Sequence, residues 1–332
     1  MFKDDLREIS KKLSPSQRKE YILAKRFLPL LISGLILYYY FNQIDWSLLK
    51  HSLLKAHLAL FIPSRLIPLF IYLLIDSYLL KVLFDWFHQP IRFREVVYPR
   101  AALYLLALIN VQVSNGGMFL YLMRRADIKT EKLAGLVAFR FAWSVWSINF
   151  GLSIALLLTF LLKFEFHSPL AMELILLGVG IIWASLLLYL GLAYYYNHYR
   201  PETVHRPLWN AFIQARPRQY LEIAGFTLLL AGIGVINNYL CALSFGIKIP
   251  LHELVVLLPI VDLIANLPIA FAGLGTTTFA WQTFWSRYAT PEAFLSFTIA
   301  LPVTTYLSRA LFALIAFPRA VKYLQEILNK KK

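Results

Sequence analysis

Charged side chains are scarce in this sequence of 332 residues. Lysine, arginine, aspartate and glutamate make up 15% of it, whereas a soluble domain carries about a quarter. Hydrophobic residues reach 59%, which excludes a surface that faces water on all sides. Apolar stretches recur along the chain, and several reach the roughly 20 residues that cross a hydrocarbon core. The composition therefore predicts an all-α integral membrane protein.

Cysteine and the short motifs of common enzymes are nearly or wholly missing. Cys241 is the only cysteine, which excludes an intramolecular disulfide and a cysteine-based metal site. It lies in an apolar segment, where we expect it to act as a small packing residue. The serine-hydrolase elbow, the H-E-x-x-H zinc motif, the P-loop and the dinucleotide fingerprint are absent from the sequence. We therefore expect a protein that is not an enzyme, with no cofactor and no metal.

Apolar segments of two kinds follow one another along the chain. Six are long enough for full crossings, at 22–41, 58–80, 133–162, 170–196, 221–245 and 293–317. No cleavable signal pattern precedes the first one, so we expect it to be a retained span. Two others are interrupted by polar and glycine-rich stretches: 101–123 at Asn110–Gly117, and 253–289 at Asn266–Pro268 and Gly273–Thr278. Irregular backbone at membrane depth survives only where protein or water satisfies it. Each broken segment is therefore predicted to be a re-entrant hairpin.

The distribution of positive charge favours this topology. With six crossings and two hairpins, 25 of the 33 lysines and arginines fall on one side, five on the other and three within the membrane. Positive loops stay cytoplasmic, so we expect a cytoplasmic (inner) membrane protein with both termini in the cytoplasm. The same preference explains the net charge of +15 without a nucleic-acid partner. Glu173 and Glu253 fall at span ends, where we expect both to be in water.

The order of span, span, broken segment and span occurs twice. Each half makes an odd number of crossings, so the two halves are expected to form an inverted repeat. Paired breaks in such repeats indicate a substrate site near the midplane. The predicted organisation is a cytosolic lead at 1–20, one membrane domain at 21–320 with halves at about 21–162 and 170–318, and a basic cytosolic tail at 321–332. The substrate-binding candidates in the breaks are Asn110, Asn115, Gly116, Gly117, Asn266, Gly273, Gly275 and Thr276.

Ionisable residues inside a membrane are costly, so each is a functional candidate. Arg140 and Arg309 each follow a broken segment and join the candidate binding site, with snorkelling to the interface as the alternative. Asp262 precedes the second break and is a candidate proton or cation site, or a counter-ion to an arginine, with an ordinary aspartate at the membrane interface as the alternative. Arg65 and Asp76 share one face of a span but stand about 16 Å apart along it. Each is therefore expected to find its partner elsewhere, with snorkelling to the outer interface as the alternative for Arg65.

The residues around and after the breaks resemble a known family. The blocks LPIAFAGLGTTTFAW (Leu267–Trp281) and FLSFTIALPVTTYLSRALFALIAFPRAVKYL (Phe294–Leu324) look like its Pro…Gly-Gly-Leu-Gly break and its final arginine-containing helix. SNGGMFLYLMRR (Ser114–Arg125) looks like its first break, and Arg140 occupies the place of its buried arginine. This is the lysylphosphatidylglycerol synthetase transmembrane-region family of flippase-like proteins. The resemblance implies a lipid translocase that binds an anionic phospholipid or a polyprenyl phosphate.

The sequence also departs from that family. Where the family often has acidic residues after each break and a Glu-Arg pair in the middle helix, this chain has Phe119, Thr276–Thr278 and Phe139. We therefore do not expect this chain to use a transport mechanism that depends on those carboxylates. The sequence lacks the soluble aminoacyl-transferase half, so lysine transfer to lipid is not expected.

Other functions fit the same broad pattern. One alternative is a membrane-embedded transferase or an accessory subunit in lipid-linked glycan or aminoacyl-lipid synthesis. Another is a different re-entrant-hairpin carrier, such as a DedA-type protein. Both a homo-oligomer and a complex with a partner transferase are left as alternatives.

Overall fold

The structure is a computed structural model that describes Ser47 and residues 54–107, 111–164, 169–199, 209–265 and 274–329. All regular elements within these ranges are helical, and a short 3₁₀ turn at Ser286–Tyr288 separates the last two helices. The helices are α1 (Leu58–Phe87), α2 (Phe93–Ala102), α3 (Tyr104–Ala107), α4 (Val111–Arg125), α5 (Thr130–Leu161), α6 (Pro169–Tyr199), α7 (Asn210–Gln214), α8 (Pro217–Ser244), α9 (Leu251–Ala265), α10 (Leu274–Trp285) and α11 (Pro291–Asn329).

Five of these helices, α1, α5, α6, α8 and α11, are long and apolar enough to cross a membrane. They coincide with five of the six predicted crossings, while the predicted span at 22–41 lies outside the described residues. Large apolar side chains cover their outer faces: Phe141, Phe160 and Leu187 are 71%, 82% and 67% exposed. Such a surface is unsuited to water and suited to lipid. The prediction of an all-α, multi-pass membrane architecture is confirmed at this level.

Helices α1 and α8 form an antiparallel pair at the centre of the bundle. At one end, the backbone N–H of His57 donates to the carbonyl oxygen of Ser244 at 2.8 Å. Towards the other end, the hydroxyl of Tyr78 donates to Glu222 at 3.0 Å. Cys241 lies in this interface with no exposed surface, which confirms its predicted role in packing.

Helix α5 runs parallel to α8 and packs closely against it. The indole N–H of Trp143 donates to the carbonyl oxygen of Tyr220 at 2.7 Å. Further along, a Cβ atom added to Gly151 would lie only 2.7 Å from Cδ2 of Leu228. The glycine therefore allows the two helices to approach each other closely.

Helices α2, α3 and α4 form a helical hairpin between α1 and α5. Gly117 of α4 faces the start of α3, since a Cβ there would lie 2.9 Å from Cδ2 of Leu103. At the open end, Arg125 forms an ion pair with Glu95 at 2.9 Å, and the Tyr121 hydroxyl donates to the carbonyl oxygen of Glu95 at 2.8 Å. The two arms are therefore antiparallel, and the chain enters and leaves this first hairpin at the same end. The connection at 108–110 lies outside the described residues.

Helices α9 and α10 form the second hairpin. The carboxylate of Glu253, near the start of α9, accepts hydrogen bonds from Arg287 at 2.5 Å and from the Tyr288 hydroxyl at 2.8 Å, just after α10. Trp281 and Trp285 of α10 pack in one hydrophobic core with residues of α9. The arms are again antiparallel, with the connection at 266–273 outside the described residues.

The two hairpins open at opposite ends of the bundle. Gln89, which follows α1, donates to the carbonyl oxygen of Ala126 at 2.7 Å, so the first hairpin opens where α5 begins. At the other end of α5, the ring of Phe164 stacks on that of His252 with centroids 4.5 Å apart, beside the mouth of the second hairpin. Helix α5 therefore runs from the open end, or mouth, of the first hairpin to the mouth of the second.

The helix boundaries differ from the prediction at both breaks. Residues 93–100 lie between the predicted span 58–80 and the broken segment 101–123, yet they belong to helix α2. Glu95 and Arg100 in this helix each have a partner of opposite charge. The glycine-rich stretch 115–117 lies inside α4, and 275–278 lies inside α10. Glycine in a helix costs about 1 kcal/mol, and close packing against Leu103 offsets that cost at Gly117. The predicted site residues Asn110, Asn266 and Gly273 lie outside the described residues.

Candidate functional site

Asp76 of α1 is the centre of a buried group of ion pairs, here called the aspartate-centred group. Its Oδ2 accepts from Nε of Arg100 at 2.8 Å, and its Oδ1 accepts from Nη2 of Arg140 at 2.5 Å. Arg100 also donates to the side-chain oxygen of Asn115 at 2.9 Å. Helices α1, α2 and α5 thus meet at one carboxylate, and α4 joins the group through the bond between Asn115 and Arg100. Two guanidiniums and one carboxylate give the group a net charge of +1.

This arrangement tests several of the sequence predictions. Asp76 has partners on other helices, as predicted, and Arg140 and Asn115 are brought together around it. Arg100, which stands just before the broken segment 101–123, is not identified from the sequence. The signal available in the sequence was Asp76 itself, since a buried carboxylate requires a cationic partner and Arg100 begins the next apolar run.

Arg65, eleven residues before Asp76 on α1, is the centre of a second polar group, here called the arginine-centred group. Its Nη2 donates to the carbonyl oxygen of Leu301 at 3.4 Å and to the hydroxyl of Thr305, both on α11. The amide of Asn237 on α8, oriented with its oxygen towards Arg65, accepts from Nη1 at 2.9 Å. All three oxygens are neutral. Asp262 on α9 is close enough to attract Arg65 electrostatically.

Arg309 on α11 lies between the two groups. Its Cζ is 5.6 Å from the ring centroid of Tyr104 on α3, a cation–π contact. It interacts electrostatically with Arg65 on one side, and with Tyr72, one turn before Asp76, on the other. The Nε atoms of Arg65 and Arg309 are buried and have no hydrogen-bond partner within the described ranges. The interior thus contains positive charge that is only partly compensated.

The remaining predicted site residues lie on the two hairpins. Gly116 has open space where a Cβ would stand. Gly275 and Thr276 lie in the first turn of α10, and Thr276 is 3% exposed. The hydroxyls of Thr278 and Thr298 are 2.9 Å apart, which holds α10 against α11. The second hairpin is thereby attached to the helix that carries Arg309.

An acidic residue near the start of each hairpin pairs with an arginine near its end. Glu95 is the third residue of α2 and pairs with Arg125; Glu253 is the third residue of α9 and pairs with Arg287. The prediction that Glu253 lies in water is wrong, since it is 2% exposed. Burial raises the pKa of its carboxyl above the ordinary value for a glutamate. Glu173, by contrast, is exposed as predicted.

The described residues offer no metal site, since no three His, Cys, Asp or Glu side chains come together among them as ligands would. The chemistry of the interior is instead that of guanidinium, amide and hydroxyl groups. Such groups bind anions through charge-assisted hydrogen bonds. Fold and site together define a multi-pass helical membrane protein with a positively charged interior.

Comparison with known proteins adds no relative: no protein-family model, no curated protein and no solved structure matches this chain. The resemblance to the lysylphosphatidylglycerol synthetase transmembrane-region family therefore rests on the residues quoted above alone, and it stays a prediction.

Proposed function

We propose that this chain is a lipid translocase of a cytoplasmic (inner) membrane that binds an anionic phospholipid or polyprenyl-phosphate head group between its two hairpins. The observation that carries the proposal is the incompletely compensated positive charge around Arg309, a partly buried residue whose Nε atom has no hydrogen-bond partner within the described ranges. An anionic head group supplies the missing negative charge. The apolar outer surface keeps the lipid chains in the membrane while the head group passes through the interior.

The matching of the two halves supports an inverted repeat with re-entrant hairpins. Each hairpin is preceded by a long apolar helix, α1 or α8, and followed by another, α5 or α11. Helix α1 of the first half contacts its counterpart α8 of the second. Each further contact between the halves has an equivalent: α2 packs on α11 as α9 packs on α5. In the same way, α1 packs on α11 as α8 packs on α5. In both hairpins the third residue of the first helix is a glutamate that pairs with an arginine near the end of the hairpin. An inverted repeat accounts for all of these at once, and both termini then lie in the cytoplasm.

An apolar groove among α1, α2 and α8 suits the chain of a lipid. Its volume is about 330 Å³, and it is lined by Leu74, Ile75, Tyr78, Phe93 and Phe226. The groove offers a lipid chain an apolar surface of the protein.

The proposal predicts that Arg309→Ala abolishes movement of a fluorescent phosphatidylglycerol across the bilayer of reconstituted proteoliposomes. Arg140→Ala is expected to reduce the rate less, because Asp76 already compensates that charge. The measurement is the fraction of label that an added membrane-impermeant quencher reaches with time. Arg218→Ala is the matched control, since Arg218 is exposed at the start of α8. Wild-type rates in both interior variants would contradict the proposed site.

The second candidate function, a membrane-embedded transferase or accessory subunit, depends on Asp262. This carboxylate is the acidic group beside Arg65, where a lipid phosphate and an acid or base group would be adjacent. If the chain works by acid–base or proton-coupled chemistry, Asp262→Asn is expected to lower its activity by about 100-fold or more. Passive translocation predicts an unchanged rate. The comparison of Asp262→Asn with wild type in the proteoliposome assay therefore separates the two mechanisms.

A further inference from the structure

Arg65 and Arg309 converge on one short stretch of α11. Arg65 reaches across from α1 to bond Thr305, and Arg309 follows Thr305 by four residues, which is about 6 Å along a helix. The two guanidiniums are close enough to interact electrostatically. The Arg65 guanidinium is therefore held at Thr305 of α11, and the Arg309 side chain leaves the same helix one turn further on.

These two arginines differ from the other arginines that hold the bundle together. Arg100 and Arg140 pair with Asp76, and the arginines at both hairpin mouths pair with glutamates. Within the described part of the chain, Arg65 and Arg309 form no ion pair, and each keeps a buried Nε without a hydrogen-bond acceptor. The hydrogen bonds that Arg65 does make end on neutral oxygens, and Asp262 attracts it electrostatically without an ion pair to Arg65 within the described residues.

Two guanidiniums in a medium of low polarity repel each other, and the Asp262 carboxylate that attracts Arg65 leaves the three groups with a net charge of +1. An anion bound next to both arginines removes this excess positive charge, and the two buried Nε–H groups are donors without an acceptor among the described residues. A phosphate suits the position because its tetrahedral oxygens serve two guanidiniums at once, and because guanidinium forks match phosphate geometry.

We propose that Arg65 and Arg309 together bind one phosphate-type anion at the junction of α1 and α11. The inference rests on the proposed translocase function and deepens it by adding Arg65. The site lies nearer the N-terminal end of α1, and hence nearer the mouth of the second hairpin, than the aspartate-centred group does. A head group then has binding positions at two depths, one next to each hairpin.

The test is native mass spectrometry of the detergent-purified full chain with phosphatidylglycerol, and with diacylglycerol as the phosphate-free control. We expect wild type to retain one phosphatidylglycerol in preference to diacylglycerol. Arg65→Gln and Arg309→Gln are each expected to weaken that binding by about tenfold or more. The affinity of the double variant should fall by less than the product of the two single effects, because both residues bind the same anion. Arg218→Gln, at an exposed position, should bind as wild type does.

The melting temperature of each variant, measured without lipid, separates binding from folding. Arg65→Lys keeps the charge and is expected to bind better than Arg65→Gln. Wild-type affinity in Arg65→Gln, or affinity that follows the melting temperature across all variants, would overturn the site. Inorganic phosphate shows whether the bound anion is a lipid head group or a free phosphate. If inorganic phosphate raises the melting temperature of wild type but not of Arg65→Gln, the anion is a free phosphate.

The proteoliposome assay on the same variants keeps the two proposals separate. Weaker binding by Arg65→Gln with no lipid movement by wild type would support the anion site and reject the translocase function. Lipid movement by wild type with unchanged binding by Arg65→Gln would reject the site and leave the function standing.

Discussion

Asp76→Asn is expected to lower the free energy of unfolding by about 3 to 5 kcal/mol, the usual cost of breaking a buried ion pair from one side. The substitution preserves shape but leaves Arg100 and Arg140 without a negative charge. Their side chains are only 13% and 19% exposed, so water cannot replace the carboxylate. Because Asp76 joins α1 to α2 and α5, and Arg100 extends the connection to α4, the loss should loosen the first hairpin as well as α1. Equilibrium unfolding in mixed micelles measures the difference.

Asp85→Asn is the matched control for this substitution. Asp85 also pairs with a basic residue, Lys81, one turn away on the same helix, but both side chains are about a quarter exposed. A surface pair of this kind contributes about 0.3 to 0.5 kcal/mol. The double variant Asp76→Asn/Arg140→Gln should regain part of the lost stability, since it removes one of the uncompensated charges. Equal effects of Asp76→Asn and Asp85→Asn would mean that the interior is hydrated rather than buried.

The second large effect concerns the side of the membrane on which each hairpin opens. With Cys241 replaced by alanine, single cysteines at Gln89 and Thr130 are expected to react only with a membrane-impermeant thiol reagent added from the cytoplasmic side. Cysteines at Lys248 and Ser286 should react only from the opposite side. All four native residues are exposed, and they flank the two hairpins. The measurement is labelling in intact spheroplasts compared with inside-out vesicles.

The decisive comparison is between Gln89 and Thr130. If α2, α3 and α4 form a re-entrant hairpin, these two positions label from the same side. A full crossing would place them on opposite sides and would also reverse every later helix. As a control for thiol reactivity, both cysteines should be labelled once detergent has dissolved the membrane.

Local patterns in the sequence were sufficient to predict the main architecture. Five apolar runs became five long apolar helices, because a run of about 20 apolar residues has few alternatives to a spanning helix. Both broken segments fold into pairs of antiparallel helices, although the glycine-rich stretches 115–117 and 275–278 lie inside helices. Helix boundaries were less accurate: 93–100 is helical despite its charges, because those charges are paired in three dimensions.

The site was predicted only in part, for a related reason. Arg140, Arg309 and Asn115 were identified because a charge or a polar break inside an apolar segment is conspicuous. Glu253 is predicted to lie in water and Arg100 is not identified, because in the sequence each stands next to other polar residues at the end of an apolar run. In the structure both are paired with opposite charges. No local pattern indicates which distant residue will supply a partner.

The sequence by itself determined that this protein is helical, apolar on the outside and polar at a few interior points, since these properties follow from residue type and spacing. Only the tertiary structure decided how the interior charges are compensated. Asp76 neutralises one of its two arginine partners, both hairpin mouths carry a Glu–Arg pair, and Arg65 and Arg309 form no ion pair within the described residues. The physical reason is that charge compensation depends on distances of a few ångströms between helices far apart in the chain, and those distances are set by packing.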